Sequence, residues 1–583
     1  MISRSLDANC SPADTKIAYF SMEIAVAPQM PTYSGGLGML AGDTMRSAAD
    51  LGLPLVAVTL VHRKGYFRQQ IGTDGWQREE SAEWQPETML EPLGPIATIT
   101  VQDREVRVRA WRHCIAGVTG HTIPVLFLDT DVEGNDEWSR RLTDCLYGGD
   151  SYYRLCQETV LGIGGGRMLE ALGYHPEVFH MNEGHAALLA LGLMEDRLAG
   201  APLASATEDD IAAVRQRCVF TTHTPVPAGH DRFGMDQMRN ILGAERAAFL
   251  ERCGCCPDQL LNMTYVALRF SRYVNGVAMQ HGRISQQMFP TYQVHAITNG
   301  VHAPTWVSKP FAALYDRATP DWRTDNVYLR SAVGIPADDL LACHGEAKRA
   351  LFEHVAKTTG RQLREGIFTI GFARRAATYK RADLLFSDPI RLAQIAHAHG
   401  GLQILYGGKA HPHDEQGKLL IQRVVEAANR LHSDSIHVTY LENYEWELGA
   451  LLTSGVDLWL NTPRRPFEAS GTSGMKAALN GVPSLSTMDG WWIEGCVEGA
   501  TGWGIVESDD EAEETRSLYD KLDTKILPAY KNVEQWGQIM RATIAINGSF
   551  FNTQRMLDQY VANAYFPEHR VKQAATQQET VLV

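Results

Sequence analysis

Leu53-Pro-Leu-Val-Ala-Val-Thr-Leu-Val61 is apolar apart from Thr59. That pattern suits a strand buried on both faces, as in a parallel sheet covered by helices, rather than the alternation of a half-exposed strand. Working outward, Lys16-Ile-Ala-Tyr-Phe-Ser21 and Val125-Leu-Phe-Leu128 read as further strands, with Pro124 suited to a strand's first residue or to an edge. Short runs at Val219-Phe220, Ile367-Phe-Thr-Ile-Gly371, Leu402-Gln-Ile-Leu-Tyr406 and Val456-Asp-Leu-Trp-Leu460 continue the series. Helical patterns such as Lys418–Ala428 lie between them. Strand–helix alternation over this length predicts an α/β fold with parallel sheets.

A chain of 583 residues exceeds one core, since single cores stop growing near about 250–300 residues. The Pro-, Asp- and Trp-rich stretch after Thr305 has weak periodicity, which sets the expected division at 1–304 and 305–583. Ligands in paired α/β domains bind beyond the carboxyl ends of the strands, in the cleft between the domains. The net charge of −14 argues against nucleic acid as a partner, and no apolar run is long enough to span a membrane. Met1–Cys10 lacks the apolar stretch of a signal peptide, which with sparse cysteines points to the cytoplasm. No metal is expected. Cys253-Gly-Cys255-Cys256 has no partner pair at zinc spacing, and His180, Glu183 and His185 do not form the His-Glu-x-x-His pattern.

The most informative segment is Pro466-Phe-Glu-Ala-Ser-Gly-Thr-Ser-Gly-Met-Lys476. Thr472 or Ser473 can cap a helix starting near Gly474. Lys476 then falls in the first turn, where the positive end of the helix dipole favours the neutral amine that condensation with a carbonyl needs. The same N–H groups and the Thr472 hydroxyl suit a phosphate, so lysine and phosphate cradle together suggest pyridoxal phosphate. A second site, Arg374-Arg375-Ala-Ala-Thr-Tyr-Lys380-Arg381, follows a strand end and offers fixed cations. Holding two phosphates together needs several, because two unit charges 4 Å apart repel by about 4 kcal/mol at an effective dielectric of about 20.

Tyr33-Ser-Gly35-Gly36-Leu-Gly38 lets the backbone approach an anion or sugar, although it lacks the preceding strand of a dinucleotide fingerprint. Gly162–Gly166 reads as a close-packing device. His180–His185, Thr221–Pro225 with His223, and Thr298-Asn299-Gly300 are polar segments suited to substrate contact; a core histidine and a plain turn are the structural alternatives for the last two.

In this order, Tyr33–Gly38, His180–His185, Thr222-His-Thr224, Val274-Asn-Gly-Val277, Ile297-Thr-Asn-Gly300, Arg374–Lys380, Leu441-Glu-Asn-Tyr444 and Glu468–Lys476 resemble the α-glucan phosphorylase family (glycogen, starch and maltodextrin phosphorylases), above all its short prokaryotic branch. The resemblance implies two Rossmann-like lobes of the GT-B glycosyltransferase fold, the first binding glucan and the second binding pyridoxal 5'-phosphate on Lys476. It further implies that Gly36, Thr472 and Arg374 hold the cofactor phosphate, that Tyr444 contacts the cofactor, and that Arg375 and Lys380 hold inorganic phosphate. His223, Asn299, Glu468 and Ser470, beside Gly35, would bind the glucosyl unit, with Lys380, Arg375 and His223 as the catalytic set. The implied partners are α-glucan or maltodextrin, inorganic phosphate and glucose 1-phosphate, and a homo-oligomer is compatible with it. Ser473-Gly474 stands where the long forms carry Gly-Asn, and Asn182-Glu183 where they carry Asn-Asp. A nucleotide-sugar glucosyltransferase of the glycogen-synthase type and a non-catalytic glucan-binding protein are the alternatives. Met475-Lys476 argues against the first, and the joint presence of Lys476, Arg375, Lys380 and His223 against the second.

Overall fold

The computed structural model describes residues 12–226, 229–431 and 433–567; Met1–Cys10 lies outside them. Each apolar run noted above forms a strand, and the interior strands Ile17–Ser21, Leu55–Leu60, Thr122–Asp129 and Phe368–Ala373 are buried at every residue. Covered on both faces, such strands have no polar side to show.

The chain forms two compact units. The first, comprising residues up to Tyr66, Ser81–Ile297 and those from Met556 onward, holds a nine-stranded sheet. Its order is His295–Ala296, Tyr273–Gly276, Cys218–Thr221, Val178–Asn182, Ile17–Ser21, Leu55–Leu60, Thr122–Asp129, Arg104–Ala116, Glu91–Val101. Pairing is parallel as far as Thr122–Asp129 and antiparallel beyond it. Pro124 is the third residue of its strand, not the first. It is tolerated there because the parallel register with Leu55–Leu60 begins only at Val125, so no ladder bond on that side needs its missing N–H. Gly162 and Gly165 are packing positions, as the sequence suggests: a Cβ would lie 2.4 Å from Leu189 N and 2.6 Å from Phe20 Cε1 respectively.

The second unit, Phe67–Glu80 with Thr298–Arg555, holds an all-parallel six-stranded sheet. Its order is Ile436–Leu441, Leu402–Gly407, Phe368–Ala373, Leu458–Asn461, Ser484–Thr487, Gly502–Ile505. The seam therefore falls between Ile297 and Thr298 rather than at Thr305, and two segments cross the simple split. The stretch after Thr305 is no linker, since it buries Trp306, Tyr315 and Trp322 within the unit. The hairpin Arg68–Ile71/Gln77–Glu80 joins this unit because its two buried glutamines find their partners there. Gln69 Nε2 donates to Gly408 O at 2.7 Å and Gln77 Nε2 to Ala410 O at 2.9 Å. Among the described residues no helix is long and apolar enough to cross a membrane.

The buried Asp457 carboxylate anchors the start of the second sheet, accepting from Lys348 Nζ at 2.6 Å, His344 Nε2 at 2.9 Å and Thr369 N at 2.7 Å. Burial alone would raise its pKa, but Lys348 and His344 outweigh burial and hold it below its ordinary value. Replacing Lys348 by Ala leaves that charge uncompensated, so we predict a loss of about 3–5 kcal/mol in denaturant unfolding. A loss under about 1 kcal/mol, the worth of an exposed pair, would contradict this reading.

Candidate active site

In the second unit the strands Phe368–Ala373 and Leu402–Gly407 end side by side, and the loops that follow stay paired. Arg374 N donates to Gly407 O at 3.1 Å, and Ala376 N donates to Lys409 O at 2.9 Å. Gly408, at φ +150, is required for this: a Cβ would lie 1.9 Å from Arg374 O. So held, Arg374 Nη2 and Lys380 Nζ both donate to Glu468 Oε2 at 2.5 Å. Burial would raise Glu468, yet the two cations outweigh it and hold the carboxyl at about 2. Arg375 is exposed. Its charge nonetheless reaches Tyr379, whose hydroxyl is held below its usual range, against burial, by Lys380, Arg375 and Arg374. Arg381 ties the loop down through Thr462 O, Pro463 O and Glu514.

Lys476 is buried with Nζ 3.6 Å from the centre of the Trp306 ring. Its helix, Ser473–Ala478, is only six residues long. The expected cap is not made. Thr472 has helical φ/ψ and gives no side-chain bond to the helix, while Ser473 Oγ accepts from Trp459 Nε1 at 3.1 Å. Lys476 accordingly lies in the last turn rather than among the free N–H groups of the first, its own N–H bonded to Thr472 O. A capping residue needs extended φ/ψ, which Thr472 lacks. Tyr444 is half-buried, and burial pushes its hydroxyl up to about 12. Among the expected site residues, three have a buried polar side-chain atom with no protein partner: Arg374 Nη1, Ser470 Oγ and Asn299 Oδ1. Asn299 belongs to this unit, its carbonyl taken by Arg555 Nη2 at 2.9 Å. Gly300 is more than a turn residue, since a Cβ would lie 2.2 Å from Asn552.

In the first unit, Gly35 precedes and Gly36 begins the helix Gly36–Asp50, with open space where either would carry a Cβ. The loop is organised by Glu23, a buried carboxylate just past the strand Ile17–Ser21 that sequence reasoning missed. Its Oε2 accepts from Ser34 N at 2.5 Å and Gly35 N at 3.4 Å, and its Oε1 from the Tyr147 hydroxyl at 3.0 Å. Gly38 makes room, because a Cβ would meet Tyr33 Cβ at 2.6 Å and Glu23 Oε2 at 2.7 Å. The only sequence signal for Glu23 is its place after a buried strand.

His223 is half-buried rather than a core histidine. Its backbone N donates to Glu183 Oε2 at 2.7 Å, and its ring Nε2 lies 2.7 Å from Asn182 Oδ1. Burial, which outweighs Glu183, lowers its pKa to about 4, so at neutral pH the ring is uncharged. Asn182 gives its amide N–H to Ser21 Oγ at 3.1 Å, which assigns the proton of His223 to Nε2 and makes Nδ1 the acceptor. His180 does not converge with His185, because Tyr565 and Thr221 hydroxyls occupy both its nitrogens. Instead His185 meets Asp231 at 3.2 Å, with Arg154 Nη1 3.8 Å from the same oxygen. Glu158, His185 and Asp231 bring one ligand atom each within 4.8 Å of one another.

Two α/β units, the second with a basic strand-end loop closing on a carboxylate that lies eight residues before a buried lysine, set the class. The chain belongs to the carbohydrate phosphorylase family, glycosyl-transferring enzymes whose profile matches residues 246–500. It is 37% identical to a maltodextrin phosphorylase of Thermococcus litoralis, across 94% of this chain and 70% of that one. A glycogen phosphorylase of Mycobacterium tuberculosis is also 37% identical, over 95% and 71%. One of Aquifex aeolicus is 33% identical, over 94% and 86%.

Two predictions follow from the charges. Replacing Glu468 by Gln removes the carboxylate that competes for Arg374 and Lys380, so orthophosphate should bind the sugar-free protein several-fold more tightly by calorimetry; weaker binding would refute the competition. Burial also lowers His62 to about 4, His180 to about 3, and His281 to about 4, alongside His223. Each binds its proton more readily unfolded, at about 6.5, than folded, so the stability they contribute is complete above pH ~6.5 and drains away between pH ~6.5 and ~3. A melting temperature flat across that window would contradict the assignment.

Proposed function

We propose that this protein is an α-1,4-glucan phosphorylase, cleaving the terminal α-1,4-linked glucose of a glycogen- or maltodextrin-type chain with inorganic phosphate, reversibly and with retention, to give glucose 1-phosphate. Family membership supports a two-lobed GT-B arrangement with the glucan on the N-terminal lobe and pyridoxal 5'-phosphate on the C-terminal lobe. The observation that carries the reading is the Arg374–Glu468–Lys380 arrangement, eight residues ahead of a buried lysine under an aromatic ring.

The residues fit that cofactor. Lys476 is buried, the Thr472 hydroxyl is not spent on its helix, and Arg374 Nη1 has no protein partner. Lys476, Thr472, Arg374, Gly36 and Tyr444 would hold it. When bound, it supplies a phosphate group able to exchange a proton with orthophosphate.

Arg375 and Lys380 take orthophosphate, placing a fixed anion against the positive charge that develops on the departing glucosyl unit. Glu468, at about 2, stays ionised at working pH. It therefore accepts hydrogen bonds from sugar hydroxyls and donates no proton, and no glycosidase-type carboxylate pair is called for. The neutral His223 offers Nδ1 to a sugar hydroxyl, while Asn299 Oδ1 and Ser470 Oγ are further polar groups able to contact one.

The deciding assay incubates the purified protein with maltodextrin and orthophosphate. Release of glucose 1-phosphate is expected, whereas transfer only from a nucleotide sugar would favour the synthase-type alternative. Lys476→Ala should abolish the pyridoxal absorbance band, and full activity in colourless, cofactor-free protein would overturn the cofactor assignment. Lys380→Ala should raise the phosphate requirement by about 10²-fold, the scale of a lost transition-state contact. Unchanged phosphate kinetics would remove Lys380 from the site.

A further inference from the structure

Glu468 and Ser470 lie in an irregular segment between the strand Leu458–Asn461 and the Lys476 helix, with no ladder to fix them. Their backbone is held by a turn twenty residues further on. Glu468 N donates to Asp489 Oδ2 at 2.9 Å, and the other oxygen, Oδ1, accepts from Gly490 N at 2.9 Å. Trp491 N donates to Ser470 O at 2.9 Å, so the turn grips the segment at two places. Gly490 sits between those grips at φ +55, and a Cβ would lie 2.4 Å from Ser470 O and 3.1 Å from Glu468 Cγ. Only glycine permits that approach at that φ.

The turn also touches the lysine helix. Gly474, in its first turn, packs on the Trp491 ring, where a Cβ would come within 2.7 Å. Asp489 is buried at 2% exposure and its N–H is bonded to Thr487 O, at the end of the strand Ser484–Thr487. Burial pushes its carboxyl up to about 6 although two backbone N–H groups favour the charged form. A carboxylate kept at this cost next to Glu468 has a specific task.

We propose that Asp489 is a positioning residue of the glucosyl site: with Gly490 and Trp491 it holds Glu468–Ser470 in register with the Lys476 helix. This rests on the phosphorylase reading above. The Asp489 carboxylate is engaged by the backbone N–H groups of Glu468 and Gly490. It acts through Glu468, whose side chain bonds Arg374 and Lys380 while its N–H is fixed by Asp489.

The test uses the purified holoenzyme and two variants that disturb the segment from different sides. Asp489→Asn keeps the shape but replaces one acceptor with a donor facing an N–H group, and Gly490→Ala inserts a methyl group against Ser470 O. Both should keep the pyridoxal absorbance; Asp489→Asn should melt near the parent, and Gly490→Ala somewhat below it because of the strain at that φ. Both should lose kcat by about 10²-fold, the usual effect of a displacement near 1 Å, with the maltodextrin KM raised and the phosphate KM changed less than about threefold. Asp489→Glu should recover less than a tenth of the lost rate, because the longer chain cannot bond the same N–H pair. Parent-like kcat and KM in both variants would overturn the proposal. So would a parallel loss of cofactor, melting temperature and activity in both, which marks a purely structural turn. Failure of the phosphorylase reading shows separately, as unmutated holoenzyme releasing no glucose 1-phosphate.

Discussion

A single carboxylate oxygen receiving two cations, Arg374 and Lys380 on Glu468, is the constraint around which the second unit is arranged. Bringing a guanidinium and an ammonium to one buried point is unfavourable unless a negative charge sits between them. Glu468 supplies it, and the backbone makes the meeting possible. Gly408 lets the Arg374 loop lie against the neighbouring strand end, and Gly490 lets the Asp489 turn lie against Glu468. The two glycines are thus as much part of the charge cluster as the charged residues. Glu468 Oε2 holds Arg374 Nη2 and Lys380 Nζ, so an anion approaching those two atoms must compete with Glu468. In the proposed site, a sugar hydroxyl engaging Glu468 would relieve that competition.

The first unit prepares its polar groups differently. Glu23 collects the N–H groups of the glycine loop, and Glu183 takes the His223 N–H and the Thr224 hydroxyl. Each is a buried carboxylate that organises backbone rather than reacting. His223, uncharged above pH ~4, has its Nε2 proton directed by Asn182 and hence a defined acceptor face.

The parallel core was legible because strands buried on both faces are written as unbroken apolar runs, and all seven such runs became strands. The antiparallel pair Glu91–Val101/Arg104–Ala116 was readable in principle, for Val106, Val108 and Ala110 alternate with charged residues around it. The allegiance of the Arg68–Glu80 hairpin was not, because Gln69 and Gln77 look like surface residues until their backbone acceptors are seen. At the site, motifs in a fixed order brought out Arg374, Lys380, Glu468 and Lys476, and the structure joins the first three directly. Glu23 and Asp489 escaped notice, since a lone acidic residue after a strand carries no spacing signal. Thr472 misled for a related reason: a capping residue type does not guarantee capping φ/ψ.

The proposal that Glu468 engages a sugar and so releases Lys380 to orthophosphate is tested most directly by the coupling between the two ligands. Calorimetric titration of orthophosphate into the holoenzyme, with and without saturating maltodextrin, measures it. The account predicts that the glucan tightens phosphate binding, and by thermodynamic reciprocity that phosphate tightens the glucan by the same factor. Phosphate affinity that is unchanged or weakened by the glucan would contradict it.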